Sequence, residues 1–146
     1  MTKNILVPYD FTSFGSIAFE KAVEIAKKFD SKITLLTVLG NDIDTSGMDL
    51  ARAQQVHDDE ENKAKENLHK IKDSNKYDNV DISVRIIHDP SVIEGILAFA
   101  ETQKIDLIVM GSHGRSGFKK LVLGSVASGI VTKSNCPVLI AKPSKS

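Results

Sequence analysis

With 146 residues, 41% of them apolar, the chain is sized for one domain whose core needs neither disulfides nor structural metal. Nineteen basic side chains balance nineteen acidic ones, so no overall field draws the molecule to nucleic acid or to an anionic membrane. The single cysteine, Cys136, cannot close an intramolecular bridge, and no apolar run approaches a membrane span of ~20 residues or the core of a signal peptide; a soluble protein of the reducing cytoplasm is the expectation.

From the N-terminus, residues 4–7 form a short apolar run closed by Pro8, which reads as a strand buried on both faces, as in a parallel sheet. Asp10 sits just beyond its C-terminal end. From Phe14 onward, Ile17, Ala18, Ala22, Ile25, Ala26 and Phe29 recur at three- and four-residue steps. That spacing predicts an amphipathic helix, capped by Thr12 or Ser13 and stopped at Asp30 and Ser31. Residues 33–39 are β-branched and apolar and make a second strand. After a polar, turn-forming stretch at 40–47, Leu50, Ala53, Val56, Ala64, Leu68 and Ile71 mark a thin stripe through charged sequence, a helix that could exceed about 25 residues. Its acidic run at 58–61 reads as a solvated face rather than a carboxylate metal site, because consecutive helical side chains point in different directions.

Residues 81–87 give a third strand with Ile82, Val84 and Ile86 alternating. Asp89 and Pro90 read as N-cap and first position of a helix burying Val92, Ile93, Ile96, Leu97 and Ala100. The four apolar residues 107–110 make a strand ended by Gly111, residues 125–133 a helix burying Val126, Ile130 and Val131, and residues 137–141 a fifth strand. Alternating strand and helix patterns are the signature of βαβ units, hence an α/β fold with a parallel sheet and helices on both faces. No repeat, low-complexity block or linker interrupts the chain before its short tail at 142–146, so residues 1–146 are expected to form one domain.

The chemistry concentrates in residues 106–128, DLIVMGSHGRSGFKKLVLGSVAS, where a strand runs into a glycine-marked loop and then a helix. Gly111, Gly114 and Gly124 let bare backbone N–H groups approach a ligand, and the helix behind Gly124 points its positive end into the same space, which favours an anion. The loop is not a Walker A motif, since the residue five beyond Gly111 is Ser116 and five beyond Gly114 is Lys119, and it is not GxGxxG either. No GxSxG elbow seats a serine nucleophile, and His57, His69, His88 and His113 show no metal-ligand spacing. Ser112 beside His113 lacks a third orienting group and makes a poor catalytic pair.

Gly111, two residues, Gly114, nine residues, then Gly124 with Ser125 resembles the nucleotide-binding signature of the universal stress protein family, in its ATP-binding branch. The likeness runs from the opening NILVPYDFT to the closing NCPVLIA and weakens in the long middle segment. It implies a five-stranded parallel sheet of order 3-2-1-4-5, Rossmann-like and of the adenine nucleotide alpha hydrolase type. In that order the loops after the first and fourth strands face one crevice at the point where the winding reverses. It further implies ATP, with Mg2+ or Mn2+ on its phosphates, held by Pro8, Asp10, Val38, Met110, Gly111, Gly114, Arg115, Gly124, Ser125 and Val126.

Asp10, an acceptor without protons, suits a ribose hydroxyl or a metal ion; the alternative is a cap or turn aspartate. Gly111 and Gly114 would offer N–H groups to ribose and phosphates, while Gly124 and the backbone and hydroxyl of Ser125 would hold the terminal phosphates. Val38 would meet an adenine edge and Met110 would add an apolar contact; without the resemblance both read as core residues. His113 and Arg115 lie where they could touch phosphate or simply face solvent. One departure stands out: His88 occupies the place where relatives commonly have the glycine of a Gly-x-Pro turn, and a histidine there could narrow the base pocket or stack on the base.

The resulting expectation is a nucleotide-dependent regulatory module of the stress response, hydrolysing ATP slowly if at all, because no general base or arginine finger is evident. The alternatives are a slow ATPase or phosphotransferase using Asp10 and a divalent ion, and an interaction protein whose glycine loop is empty, since the family contains members that bind no nucleotide. The last strand, fenced by Pro137 and Pro143, suits a sheet edge, and the resemblance implies a homodimer through it.

Overall fold

In the computed structural model, residues 2–40, 43–74, 77, 79–113 and 123–143 are described. Strands and helices alternate along them: β1 (Asn4–Pro8), α1 (Ser13–Phe29), β2 (Lys32–Leu39), α2 (Leu50–Lys72), β3 (Asp81–His88), α3 (Val92–Thr102), β4 (Leu107–Gly111), α4 (Ser125–Lys133) and β5 (Val138–Ala141). The strands form one sheet in the order β3-β2-β1-β4-β5, with every neighbouring pair parallel. The chain therefore winds outward from β1 to β3, crosses back, and winds the other way through β4 and β5. This reversal, with crossovers of one hand, puts α1 and α2 on one face and α3 and α4 on the other, and leaves a crevice between the ends of β1 and β4.

Side-chain alternation sorts the core into two layers. Ile5, Val7, Ile33, Leu35, Ile82 and Val109 pack on one face with Ala18, Phe19, Ala22, Val23 and Ala26 of α1 and Leu68 of α2. Leu6, Leu36, Ile108 and Met110 pack on the other with Ile96, Phe99 and Ala100 of α3 and Ala127 and Ile130 of α4. Full burial of each Leu or Ile contributes about 1.5–3 kcal/mol, which is why the central strands read as continuous apolar runs.

Local chemistry sets the helix starts. Thr12 caps α1, its side chain accepting from Gly15 N–H, and Asp49 caps α2 by accepting from Arg52 N–H at 2.8 Å. At α3 the expected start at Asp89 and Pro90 is corrected. The Asp89 N–H donates to Leu39 O at 3.0 Å, extending the strand ladder by one residue, and its Oδ1 accepts from Ser91 N–H at 2.9 Å. Ser91, accepting from Glu94 N–H at 3.1 Å, is the cap.

Four apolar residues expected on the buried helix stripes are exposed: Phe29 at the end of α1, Leu50 at the start of α2, Val92 at the first position of α3, and Val131, which sits off the Ala127–Ile130 line of α4. Phe19 and Val23 take the buried places on α1 instead. The α2 helix runs 23 residues, short of the length anticipated, and buries only Ala64 and Leu68.

Candidate functional site

The crevice is bounded first by the turn after β1. Tyr9 N–H donates to Leu36 O at 2.8 Å, and the buried Thr37 hydroxyl donates to Tyr9 O at 2.8 Å, so the turn is fastened to β2. Asp10 Oδ1 accepts from Thr12 N–H at 3.1 Å and from the Thr12 hydroxyl at 2.6 Å. Asp10 is thus a turn aspartate through this oxygen, while the helix cap itself is Thr12. Between them Phe11 adopts φ 65°, a left-handed conformation that a bulky side chain rarely takes, with its ring edge-on to Tyr9 at 5.2 Å. Pro8 closes β1 half-buried, paired with Leu36.

The second wall is the end of β4. A Cβ on Gly111 would lie 2.7 Å from both Cβ and the backbone oxygen of Phe14, so this glycine lets the first turn of α1 press against β4. Next in the chain, the Ser112 carbonyl accepts from Gly124 N–H at 2.7 Å, which draws the start of α4 to the end of β4. Gly124 is the N-cap residue, and no side chain caps the helix. With the Gly124 N–H engaged, the first-turn amides of Ser125 and Val126 carry the positive end of the helix dipole; Ser125 is exposed and Val126 half-buried.

The Ser112 hydroxyl is buried and lies 3.1 Å from His113 Nδ1, while His113 Nε2 is buried without a hydrogen-bond partner among the described residues. The imidazole packs on the Phe14 ring at 5.3 Å. This is the wrong arrangement for a nucleophile and its base, since the hydroxyl is inaccessible and nothing described orients the far side of the ring. Leaving that nitrogen unpaired costs about 1–3 kcal/mol, so it asks for a partner.

On the third side, Val38 is half-buried near the end of β2, and a Cβ on Gly95 would come within 3.1 Å of its Cγ1, so Gly95 lets α3 close over it. Met110 is 5% exposed within the α3 and α4 layer. Pro8, Asp10, Gly111, Gly124, Ser125 and Val126 therefore gather at one end of the sheet, with Val38 at its β2 side. Gly114 and Arg115 lie outside the described residues. The family model described as the universal stress protein family matches residues 1–142.

The chain belongs to the universal stress protein family. Universal stress protein MJ0531 of Methanocaldococcus jannaschii is 31% identical over 147 residues, covering 98% of this chain and 84% of the relative. Universal stress protein UspA from Lactobacillus plantarum shares 25% identity with a TM-score of 0.82, over 95% of this chain and 97% of that one. A universal stress protein in complex with cAMP has the same fold at 22% identity and TM-score 0.63, with 98% of each chain covered. The universal stress protein from Archaeoglobus fulgidus in complex with dAMP has it at 16% and 0.61, over 96% of this chain and 97% of that one.

Within this universal stress protein, strand parity answers the question raised by His88. Residues 82, 84 and 86 face α1 and α2, so His88 does too, and its Nε2 meets Glu61 Oε1 of α2 at 2.7 Å. Val38 and Ile87 face α3 and α4. The imidazole is held on the opposite side of the sheet from Val38, so it neither narrows nor stacks within a pocket there. The Gly95, Ser112 and Gly124 contacts escaped sequence reasoning, because each depends on a tertiary approach; only the position of Gly95 inside an apolar helix hinted at close packing. Among the described residues no helix is long and apolar enough to cross a membrane.

Proposed function

We propose that this universal stress protein binds ATP, with Mg2+ or Mn2+ on the phosphates, and works as one domain in the cytoplasm as a nucleotide-dependent regulatory module of the stress response. The observation that carries the reading is the uncapped start of α4, pinned beside the end of β4 by the 2.7 Å Ser112–Gly124 hydrogen bond and facing the crevice where the sheet reverses. An N-terminus so placed offers free amide donors and a partial positive charge to a phosphate. In this reading the Ser125 amide and hydroxyl and the Val126 amide take phosphate oxygens, joined by Gly114 and Arg115 from the loop. Asp10 takes a ribose hydroxyl or the metal ion, and the base lies against Val38 beneath α3, with Met110 under it. The cAMP and dAMP held by two proteins of this fold support an adenine ligand.

The regulatory reading is preferred to the enzymatic one because Ser112 and His113, the serine and histidine pair at the mouth among the described residues, have a buried hydroxyl. Titrating the purified protein with magnesium ATP tests the proposal. At 100 times the dissociation constant, ATP should add about 2.7 kcal/mol. With an unfolding entropy of about 2.1 cal/mol/K per residue over 146 residues, that raises Tm by about 9 °C. No shift at millimolar ATP would leave the reading of an interaction protein with an empty loop.

The same protein is proposed to pair through β5. The β3 edge carries exposed Asp81, Arg85 and His88, whereas Val138–Ala141 at the β5 edge has no charge to deter a second copy. Light scattering behind size exclusion at tens of micromolar should give twice the monomer mass; a monomer rejects the pairing.

A further inference from the structure

We propose that Asp89 sets the base preference of the nucleotide site, its second carboxylate oxygen accepting a hydrogen bond from the exocyclic amine of adenine. The inference rests on the ATP reading above, in which the base lies against Val38 beneath α3, and adds the side chain that tells adenine from other purines. Three observations meet at the end of β2. The parity of β3 that turns His88 towards α2 turns Asp89 the other way, onto the face that carries Val38 and Ile87. The Asp89 N–H donates to Leu39 O at 3.0 Å, which fastens it to the residue that follows Val38. A Cβ on Gly95 would stand 3.1 Å from Val38 Cγ1 and 3.2 Å from Asp89 Cβ, so both side chains meet under the same bare point of α3. A base laid against Val38 beneath that point has Asp89 at its edge.

The carboxylate is only half committed. Its Oδ1 accepts from Ser91 N–H at 2.9 Å and holds the turn into α3, whereas Oδ2 has no hydrogen-bond partner among the described residues. No lysine, arginine or histidine among them pairs with this half-buried acid either. The turn itself needs one acceptor, which asparagine supplies equally well. The second oxygen is thus available to a ligand, and the bond to Ser91 fixes the plane in which it is offered. An ionised carboxylate only accepts. At the position facing it, adenine presents an amine with two protons, and the bond to a charged oxygen is the stronger kind. Hypoxanthine and guanine present a carbonyl oxygen there instead, an acceptor against an acceptor, so the same group attracts one base and repels the others.

The test is calorimetric titration of the full chain, wild type and Asp89→Asn, with magnesium ATP and with magnesium inosine triphosphate (ITP), which has a carbonyl oxygen in place of the amine. Wild type should prefer ATP by about tenfold or more, because ITP leaves the carboxylate facing an acceptor. Asp89→Asn keeps the acceptor for Ser91 N–H and puts an amide N–H2 where Oδ2 stood. It should melt with the wild type and lower the ATP-to-ITP preference by about tenfold. His88→Gln, on the opposite face of the sheet, should keep the wild-type preference. ATP dimethylated at the amine, which has no proton to donate, should bind wild type about tenfold more weakly than ATP, a measurement that needs no variant. If wild type binds all three nucleotides equally, Asp89 is a turn residue and this inference falls alone. It falls in the same way if Asp89→Asn keeps the wild-type ratio, whether the two affinities stand or drop together. If wild type binds no nucleotide at millimolar concentration, the ATP reading falls and takes this one with it.

Discussion

Gly111→Ala separates two roles that a glycine at the mouth can have. A Cβ there would stand 2.7 Å from Phe14 Cβ and Phe14 O and 2.9 Å from Phe14 C, where ordinary contact begins at 3.4 Å. Two of those three atoms are backbone and cannot rotate away, so α1 and β4 must part by about 0.7 Å at a seam lined by fully buried Ala18 and Val109. Overpacking of this kind costs about 1–3 kcal/mol. With an unfolding entropy near 0.3 kcal/mol/K for 146 residues, the Tm of nucleotide-free protein should fall by about 3–10 °C. Gly129→Ala is the control: its Cβ would meet Ile93 Cδ1 at 2.6 Å, but that is the end of a flexible side chain, and alanine favours the helix by about 0.5–1 kcal/mol. Its Tm should hold or rise. A Gly111→Ala protein that melts with the wild type yet no longer binds nucleotide would refute the packing argument and make the glycine a ligand-approach residue.

Further consequences follow from single contacts. Asp106 Oδ2 accepts from Lys3 and Asn4 N–H at 2.8 Å each, and these bonds hold its carboxyl below the usual range. A depressed folded pKa stabilises above the unfolded value of ~3.9 and the effect is lost as pH falls through the folded one, so the urea midpoint of Asp106→Asn should lie below wild type at pH 7 and converge with it in acid. Burial, with the Glu20 carboxylate as hydrogen-bond partner, pushes the Tyr77 phenol up to about 12. Since the unfolded phenol ionises near ~10, stability present below that pH should decline from pH 10 towards 12, and in a 295 nm titration Tyr77→Phe should remove the late step of the two tyrosines. Lys104, at φ 53°, ends α3 in the left-handed region that glycine adopts freely. Lys104→Gly should therefore gain about 0.5–1 kcal/mol, or about 2–3 °C in Tm; an unchanged melt would mean the turn is not strained.

Element type was legible wherever burial imposes a period. Continuous apolar runs at β1 and β4 betrayed strands covered on both faces, and three- and four-residue steps betrayed α1 and α3. Errors fell at helix ends, where one residue of drift decides exposure: Val92 and Phe29 have apolar side chains but terminal positions, and Asp89 lost the cap to Ser91 because its N–H extends the strand ladder. At the site, residue types led to the expectation of an anion after β4, but could not say which N–H groups were already spent. The Gly124 N–H goes to Ser112, a bond between residues twelve apart that no local pattern announces. The direction of His88 was legible in principle, since Ile82, Val84 and Ile86 set the parity of β3 and commit the histidine to the α2 face.

The three non-glycine residues with positive φ among the described ones divide by place. Asp30 and Lys104 end helices, where a left-handed residue closes the last turn; Ser31 N–H to Ala26 O and Ile105 N–H to Ala100 O are the resulting bonds. Phe11 ends nothing. It lies between Asp10 and Thr12, where strain of order 1–3 kcal/mol persists only because the surroundings enforce it: the Tyr9 ring on one side, the hydroxyl of Thr12 on Asp10 on the other, and Thr37 holding the turn to β2. With Gly111 seating α1 against β4 and Ser112 holding the start of α4, the turn and the helix ends at the mouth take their places from internal contacts. A ligand entering there need not organise these walls. The binding energy of the proposed nucleotide can then go into contacts with the ligand rather than into ordering backbone, which is what preorganisation contributes to affinity.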